Sequence, residues 1–280
     1  MHLRECCRMT KEFTVKLTKK IGLIGCGNMG SAILTGAFEN QTCQPSQVWV
    51  ADKFNEKVRE FSKKNKCHAA KDAADVVRNA DVILLAVKPQ DLAETAAAIR
   101  PFLNSKKIII SILAGVKVAG LKKHLGKAVL VRAMPNLGAQ VGASVTALYS
   151  SARSALKLAE TLFAACGRTV ILDEKHFDVV TAVSGSGPAY FFLMMELLFD
   201  FARKNGIDEK SARQLAVQTA LGAGCLASVS TDSPAILRER VTSKKGTTHA
   251  ALSVLKSRQF PKMFFAALNA AVKRSRELSK

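Results

Sequence analysis

Apolar and polar positions follow two different rhythms along the chain, and the rhythm changes near residue 172. Before that point, short apolar runs of strand length, rich in β-branched residues, alternate with helical patterns such as 29–40 and 90–103. The runs are KIGLIG (20–25), VWVA (48–51), DVILLAV (81–87), KIIISI (107–112), AVLVRA (128–133), SVTALY (144–149) and RTVIL (168–172). Strands that are apolar throughout and separated by helices predict an α/β fold, a doubly wound parallel sheet with helices on both faces.

After residue 172 the apolar positions follow helical spacing to the end of the chain. Residues that are typical of helix boundaries divide this half: Pro188, Gly206, Asp208, Ser233 and Pro261. The second half is therefore predicted to be all helix.

One segment of the helical half needs a partner. The run Phe191–Phe201 is apolar on nearly every side, so a helix that carries it must be surrounded by other apolar surface. About a hundred helical residues are too few to enclose it. Association with a second copy of the chain is favoured over burial against the first half of the same chain.

Composition narrows the classes of partner. Among 280 residues, 42 Lys and Arg exceed 22 Asp and Glu, a net charge of +20 that favours anionic ligands in general. The cations form no basic arm, and one Trp and two Tyr offer little for base stacking, so nucleic acid is not expected as a partner. No membrane partner is expected either, because Glu196 and Asp200 interrupt the most apolar segment, Ala189–Ala202.

The cysteine spacing argues against a metal site. Seven cysteines stand at positions 6, 7, 26, 43, 67, 166 and 225, with no CxxC pair and no Cys/His spacing typical of zinc. Reduced thiols in a cytoplasmic protein are the simplest interpretation. The opening twenty residues carry charges but no continuous apolar core, so they do not indicate a secretory signal.

Three glycines follow the first predicted strand and lead into a helix. Gly25 permits a tight turn, Gly27 lets a pyrophosphate approach the backbone, and Gly30 lets the helix pack closely on the sheet. The phosphates would lie at the positive end of the helix, beside Asn28 and Met29. Asp52 ends the second strand 22 residues after Gly30, at the spacing expected of a ribose ligand. This arrangement predicts a Rossmann dinucleotide-binding domain.

The identity of the dinucleotide depends on two neighbouring residues. Asp52 would accept hydrogen bonds from a ribose 2′-hydroxyl and so favours NAD, whereas Lys53, with Lys57 one turn later, could neutralise a 2′-phosphate. Solvated surface lysines are the alternative. We expect NADPH, with NADH possible. The turns after further strands complete the predicted cofactor site with Ala86, Val87, Lys88, Pro89, Ala114, Gly115 and Asn136.

A stretch late in the chain, VTSKKGTTHA (241–250), places small hydroxyls, a glycine and two lysines where a helix begins. Together with IGLIGCGNMGSAI, AVKPQ, RAMPN, AVSGSGPAYFF and PAILRERVTSKKGTTHAALSVL, it resembles the pyrroline-5-carboxylate reductase family in order and spacing. The resemblance covers roughly residues 19–278. It implies an N-terminal Rossmann domain, a C-terminal helical domain that interlocks in dimers, and common assembly of these dimers into decamers.

The resemblance also implies the reaction and the substrate site. Hydride would pass from NAD(P)H to the imine carbon of 1-pyrroline-5-carboxylate and give L-proline, the last step of proline biosynthesis. Ser243, Gly246 and Thr247 would hold the substrate carboxylate. Thr248 matches the threonine that contacts the imine nitrogen, where it would fix the ring and relay a proton from water.

The chain departs from the family pattern at Lys244-Lys245, where the usual residues are Pro-Gly. Loss of both could alter the turn, or the two cations could strengthen attraction for the carboxylate; a capping loop with exposed lysines is the plain alternative. The segment SGSGPAY (184–190) either bends a helix for close packing or contacts nicotinamide or substrate.

We expect three parts in the chain: an N-terminal extension (1–18), a Rossmann dinucleotide-binding domain (19–173), and a helical domain for substrate binding and dimerisation (174–280). Two other functions share part of this plan. A β-hydroxyacid dehydrogenase would carry a catalytic lysine on the long helix, and 179–202 contains none. A regulatory module without catalysis would bind NADPH and leave Thr248 dispensable.

Overall fold

A computed structural model describes residues 15–278, and within this range eight strands form one sheet. The strands are β1 (Ile21–Ile24), β2 (Val48–Ala51), β3 (His68–Ala69), β4 (Val82–Leu85), β5 (Ile108–Ser111), β6 (Val129–Met134), β7 (Ser144–Tyr149) and β8 (Gly167–Ile171). Their order is β3-β2-β1-β4-β5-β6-β7-β8. The predicted doubly wound sheet is confirmed, and each of the seven apolar runs forms a strand.

Two details of the sheet differ from the prediction. Strand β7 runs antiparallel to β6, whereas the other ladders are parallel. Only residues 135–143 join β6 to β7, which is too short for the crossover that a parallel pair requires. The edge strand β3 was not predicted, because two exposed residues produce no apolar run.

Twelve α-helices, together with short turns and loops, connect and follow the strands in the described chain. They are α1 (Asn28–Glu39), α2 (Asn55–Asn65), α3 (Ala73–Asn79), α4 (Leu92–Ile99), α5 (Val118–Leu125), α6 (Arg153–Ala164), α7 (Phe177–Val180), α8 (Gly187–Lys204), α9 (Glu209–Val229), α10 (Pro234–Arg240), α11 (Thr247–Ser257) and α12 (Phe260–Leu278). Short 3₁₀ turns occupy Pro45–Gln47, Pro89–Asp91, Arg100–Phe102, Leu137–Val141 and Glu174–His176, and Thr181–Gly185 is a π-helical turn. Strands end with β8, so the second half is all helix as predicted.

The described chain divides into two compact units. Residues 15–185 and 272–278 form the sheet unit, and 186–271 form the helical unit. Residues 1–14 of the predicted N-terminal extension lie outside the described residues. Of the rest, Leu17 donates a backbone hydrogen bond to the Thr42 carbonyl at 2.7 Å, so this part of the predicted extension contacts the sheet unit.

Alternate residues of the strands build two apolar layers in the sheet unit. Leu23 and Leu84 belong to the layer that includes α1 and α6, whereas Ile24, Ile83 and Ile109 belong to the layer that includes α3, α4 and α5. All five side chains are almost completely buried. Burial on both faces explains why these strands are apolar at every position rather than at every second one.

The helical unit buries little of its apolar surface within a single chain. Phe191 and Phe201 on α8 are 66% and 70% exposed, and Phe265 on α12 is 65% exposed. Among the described residues, one helical stretch, Glu174–Lys204, is long and apolar enough to cross a membrane by length and composition. The same apolar surface would be covered by a second copy of the chain, which agrees with the predicted need for a partner.

Helix boundaries in this unit follow the predicted caps. The Asp208 carboxylate accepts from the Ser211 N–H at 3.0 Å at the start of α9, and the Ser233 hydroxyl accepts from the Ile236 N–H at 3.3 Å at the start of α10. The Ser211 hydrogen bonds lower the pKa of Asp208. Each cap satisfies a donor that the helix itself leaves without an acceptor.

A buried ion pair joins three segments of the sheet unit. Arg132 on β6 is 3% exposed, and its guanidinium lies 3.1 Å from the Glu174 carboxylate and 4.6 Å from the centre of the Phe177 ring. The same Glu174 oxygen accepts from the Val118 N–H at 2.7 Å, at the start of α5. Burial lowers the pKa of Arg132, and Glu174 opposes this shift, so the pair keeps the buried cation charged.

Substitution of Glu174 by Ala should therefore lower the free energy of unfolding by about 3 kcal/mol, because Arg132 would stay buried without its partner. Urea unfolding at fixed protein concentration measures this change. Asp173→Ala is the matched control, since Asp173 forms an exposed pair with Lys175 at 3.5 Å and its loss should cost at most about 1 kcal/mol. Equal losses in the two variants would contradict the interpretation.

Candidate active site

Two of the three glycines that follow β1 are required by packing inside the protein. Gly25 has a φ of +104°, and a Cβ there would lie 2.6 Å from the Ala86 carbonyl oxygen. A Cβ at Gly30 would lie 2.6 Å from the Gly25 oxygen and 2.8 Å from Leu23. Both positions therefore exclude any larger residue, because the turn after β1 is packed directly against the end of β4.

Gly27 differs, because nothing lies within 4 Å of the place where its Cβ would be. Its φ of −74° is open to any residue, so neither backbone nor packing requires glycine. Gly27 is the N-cap of α1 and makes no side-chain cap, which leaves the first N–H groups of the helix, from Asn28 onward, available to an anion. Open space beside these donors fits a dinucleotide pyrophosphate.

Asp52 at the end of β2 lies against the glycine turn. Its carboxylate accepts from the Cys26 N–H at 2.7 Å and from the Phe54 N–H at 2.9 Å. The sequence suggested a ribose ligand at this position but did not indicate these two bonds. Asp52 thus ties the glycine turn to β2, and each of its two carboxylate oxygens can accept a further hydrogen bond.

Cys26, between two of the glycines, has no nucleophilic character. Burial, together with the nearby Asp52 carboxylate, raises the pKa of its thiol to about 12. Its Sγ lies 3.8 Å from the Ala51 carbonyl oxygen, to which it donates. The thiol is therefore neutral at physiological pH and serves as a small apolar residue in the turn.

Directly after Asp52, two lysines gather on one aromatic ring. The Lys53 ammonium lies 5.5 Å from the centre of the Phe54 ring, and the Lys57 ammonium lies 5.0 Å from it. Lys53 also forms an ion pair with Asp91 at 3.1 Å. We call Lys53, Phe54, Lys57 and Asp91 the Phe54 cluster. Asp91 was not among the predicted site residues, because 38 residues separate it from Lys53.

The turns after β4 and β5 lie at the same edge of the sheet as the glycine turn. The Ala86 N–H donates to the Ile24 carbonyl at 2.8 Å, so the segment from Ala86 through Val87 and Lys88 begins beside Gly25. Pro89 starts the 3₁₀ turn that leads to α4. Ala114 and Gly115 lie in the turn after β5, and Gly115 has a φ of +78° with Leu278 backbone atoms close to its Cβ position.

Asn136, after β6, connects the sheet edge to the π-helical turn. Its side chain caps the following 3₁₀ turn by accepting from the Gly138 N–H at 3.1 Å, and it donates to the Ser184 hydroxyl at 3.1 Å. A Cβ at Gly185 would collide with Met134 within 2.5 Å. Within SGSGPAY, Gly185 therefore allows close packing against Met134, whereas nothing lies within 4 Å of the Cβ position of Gly187. The same segment brings Ser184 to a predicted cofactor residue, Asn136.

In the helical unit, residues 243–248 form a tight collar at the start of α11. The Gly246 N–H donates to the Ser243 carbonyl at 3.0 Å, which closes a turn. Gly246 is the N-cap, with no side-chain cap, and the Ser243 hydroxyl occupies the space that a Cβ at 246 would need. The first N–H groups of α11 are consequently open to an anion, as they are in α1.

Hydroxyl groups in and beside this collar differ in whether they form hydrogen bonds within the protein. Thr242 donates to the Arg238 carbonyl at 2.6 Å, and Ser253 donates to the His249 carbonyl at 2.8 Å. Within residues 15–278, the hydroxyls of three collar residues make no hydrogen bond to another residue: Ser243, Thr247 and Thr248. Three unengaged hydroxyls beside unsatisfied N–H groups can hold a small carboxylate.

The Lys244-Lys245 departure does not abolish the turn. Lys245 has a φ of +61°, the left-handed conformation that glycine usually supplies at the third position of such a turn. Lys245 therefore adopts a backbone conformation that favours glycine, at a cost on the order of 1 kcal/mol. Both lysine side chains are exposed, so they add positive charge beside the collar without filling it.

Comparisons with known protein families match both halves of the chain. The family model for pyrroline-5-carboxylate reductase dimerisation matches residues 174–278. A second model, NADP oxidoreductase coenzyme F420-dependent, matches residues 20–115, which include the glycine turn and the strands from β1 to β5.

Individual relatives extend over nearly the whole chain. Pyrroline-5-carboxylate reductase of Pseudomonas aeruginosa is 38% identical over 267 residues, which cover 94% of this chain and 97% of the relative. The solved structure of a pyrroline-5-carboxylate reductase from Coxiella burnetii has a TM-score of 0.88 and 36% identity, covering 94% of this chain and all of the other. Pyrroline carboxylate reductase of Plasmodium falciparum, solved with NADP bound, has a TM-score of 0.83 and 27% identity, covering 95% and 100%. The chain therefore belongs to the pyrroline-5-carboxylate reductase family.

Proposed function

We infer that this chain reduces 1-pyrroline-5-carboxylate to L-proline with NAD(P)H, the last step of proline biosynthesis. The observation that carries the inference is identity of 38% over nearly the whole of a pyrroline-5-carboxylate reductase. Such a match favours the reductase over the β-hydroxyacid dehydrogenase and the regulatory module. A bound NAD(P)H supplies the hydride, water supplies the proton, and the chain's own residues must hold both reactants in position.

We propose that the collar binds the substrate carboxylate. Ser243 and Thr247 carry unengaged hydroxyls, and the glycine cap at Gly246 leaves backbone donors at the start of α11. A carboxylate accepts several hydrogen bonds at once, and the positive end of a helix favours its charge. The exposed Lys244 and Lys245 would add long-range attraction for the anionic substrate.

Thr248 is the residue that we assign to the imine nitrogen. A threonine hydroxyl is too weak an acid to protonate an imine by itself, so its role is to orient the ring and to relay a proton from water. Its hydroxyl makes no hydrogen bond to the described residues, which leaves it available for this contact. Most of the acceleration would come from positioning of the imine carbon for hydride attack.

The residues proposed to hold the cofactor lie along one edge of the sheet unit. They are Gly25, Gly27, Asn28, Met29, Gly30, Asp52, Lys53, Ala86, Val87, Lys88, Pro89, Ala114, Gly115 and Asn136. The support for this assignment is the open backbone at Gly27 and the uncapped start of α1. Asp52 would contact the ribose, and Lys53 with Lys57 would contact the 2′-phosphate of NADPH.

The chain forms a homodimer through its helical half. The dimerisation model covers 174–278, and Phe191, Phe201 and Phe265 expose an apolar surface in the single chain. We propose further that dimers assemble into a decamer. We also propose the domain bounds 19–173 and 174–280 and the extension 1–18. The boundary at residue 174 follows the matched dimerisation family, whereas the compact helical unit begins at residue 186. A cytoplasmic location is proposed as well, for which the disulfide-free thiols of Cys43 and Cys166 are support.

Replacement of Thr248 tests the substrate assignment. Thr248→Ala should lower kcat/KM for pyrroline-5-carboxylate on the order of 100-fold, whereas Thr248→Ser should retain part of the activity, because the hydroxyl remains. NADPH oxidation at 340 nm measures both. Thr242→Ala is the matched control, since that hydroxyl is engaged by the Arg238 carbonyl and should be dispensable. Full activity of Thr248→Ala would remove the assignment, and no turnover by the wild type would remove the function.

Two substitutions in the glycine turn should distinguish an effect on cofactor binding from an effect on folding. In Gly27→Ala the melting temperature should stay unchanged, while the Kd for NADPH rises at least about tenfold, because the methyl group enters the space for the pyrophosphate. In Gly25→Ala the melting temperature should fall by several degrees, because alanine cannot adopt φ of +104° without strain. Fluorescence titration and thermal unfolding measure the two effects. Normal NADPH binding by Gly27→Ala would contradict the proposed site.

Light scattering tests the assembly. In light scattering coupled to size-exclusion chromatography, the wild type should have the mass of ten chains of 30.1 kDa each. Phe201→Glu should break the dimer, since it places a charge in the apolar surface, and should give particles of one chain mass. Lys204→Glu, three residues later on α8, should leave the assembly intact. A wild type that stays a dimer would exclude the decamer, and a dimeric Phe201→Glu would exclude the proposed interface.

A further inference from the structure

The Phe54 cluster contains a carboxylate that the cofactor assignment does not explain. Asp91 and Lys53 come from the turns after β4 and β2, and their charged atoms lie 3.1 Å apart. The Asp91 side chain is 23% exposed and that of Lys53 is 59% exposed. An acidic group is therefore held against the lysine that is proposed to receive a doubly charged phosphate.

Asp91 does not serve the helix that it precedes. It occupies the N-cap position of α4 with a φ of −88° and a ψ of −2°, and its carboxylate makes no cap hydrogen bond. The Thr95 hydroxyl bonds to its backbone carbonyl, a role that any residue could fill. The direct contact of the Asp91 carboxylate is thus with Lys53 rather than with the backbone donors of α4.

Two other charged residues near Lys53 have contacts of their own. Asp52 accepts from the backbone N–H groups of Cys26 and Phe54, and the Lys57 ammonium lies 5.0 Å from the centre of the Phe54 ring. Asp91 is the carboxylate that forms an ion pair with Lys53. A phosphate oxygen bound to the Lys53 ammonium would lie at most about 6 Å from Asp91, since each of the two contacts to the ammonium spans about 3 Å.

We propose that Asp91 is a specificity-determining residue that lowers the preference of this enzyme for NADPH over NADH. The proposal rests on the assignment of Lys53 to the cofactor's 2′-phosphate. The carboxylate repels the phosphate of NADPH and partly neutralises Lys53. NADH has an uncharged hydroxyl at the same place and is affected little. Asp91 consequently allows the chain to use both dinucleotides.

Substitution of Asp91 by Asn removes the charge and keeps the shape of the side chain. The Kd for NADPH should fall about fivefold at low salt, the size expected for one carboxylate facing a phosphate across roughly 6 Å of mostly aqueous surroundings. The Kd for NADH should change less than about twofold, and the NADPH effect should shrink at 0.5 M salt because of screening. Titration calorimetry without substrate measures all of these constants.

Glu94→Gln is the matched control, because Glu94 is an exposed acid on α4, three residues after Asp91, and forms no ion pair with Lys53. It should leave both constants near their wild-type values. In Lys53→Ala, NADPH affinity should fall more than NADH affinity, which tests the assignment of Lys53 to the 2′-phosphate on which the proposal rests.

Weaker NADPH binding by Asp91→Asn would overturn the proposal, since it would mean that Asp91 positions Lys53 for the phosphate. Equal tightening of NADPH and NADH, or the same gain in Glu94→Gln, would also overturn it by indicating a general charge effect. Failure of the wild type to bind either dinucleotide would instead refute the proposed function.

Discussion

Two helices of this chain begin at a glycine whose absent side chain leaves backbone donors open, and the proposed chemistry depends on them. At Gly27 the N-terminus of α1 has open space beside it, and at Gly246 the N-terminus of α11 has unengaged hydroxyls beside it. At Asp208 and Ser233, by contrast, a helix start is satisfied by its own capping side chain. Such open helix starts accept an anionic group with several oxygens. The dinucleotide provides its pyrophosphate, and the substrate provides its carboxylate.

The surroundings of these helix starts suit a reaction that needs position more than acid strength. The thiol closest to the glycine turn, Cys26, has its pKa raised to about 12 and takes no part in proton transfer. The proposed collar offers hydroxyls and N–H groups, which can hold the substrate ring by hydrogen bonds without removing its proton. Reduction of an imine then requires a bound hydride donor and a proton from water, and the protein contributes by holding both in position beside the imine.

Features governed by local sequence could be predicted, whereas those governed by contacts between distant residues could not. Apolar runs identified the main strands, and glycine spacing located the turn after β1, because both signals lie within a few residues. Strand β7 is antiparallel because its connection to β6 is too short for a parallel crossover, and the apolar pattern of a strand does not indicate its direction. The bonds of Asp52 and the pairing of Lys53 with Asp91 depend on turns that come together only when the sheet forms.

The most direct test is a crystal structure of the enzyme with NADP⁺ and proline bound together. The account requires the proline carboxylate within hydrogen-bonding distance of the Ser243 or Thr247 hydroxyl and the N–H groups that begin α11, the ring nitrogen near Thr248, and the pyrophosphate beside Gly27. Proline bound at another place, with residues 243–248 free of ligand, would contradict it.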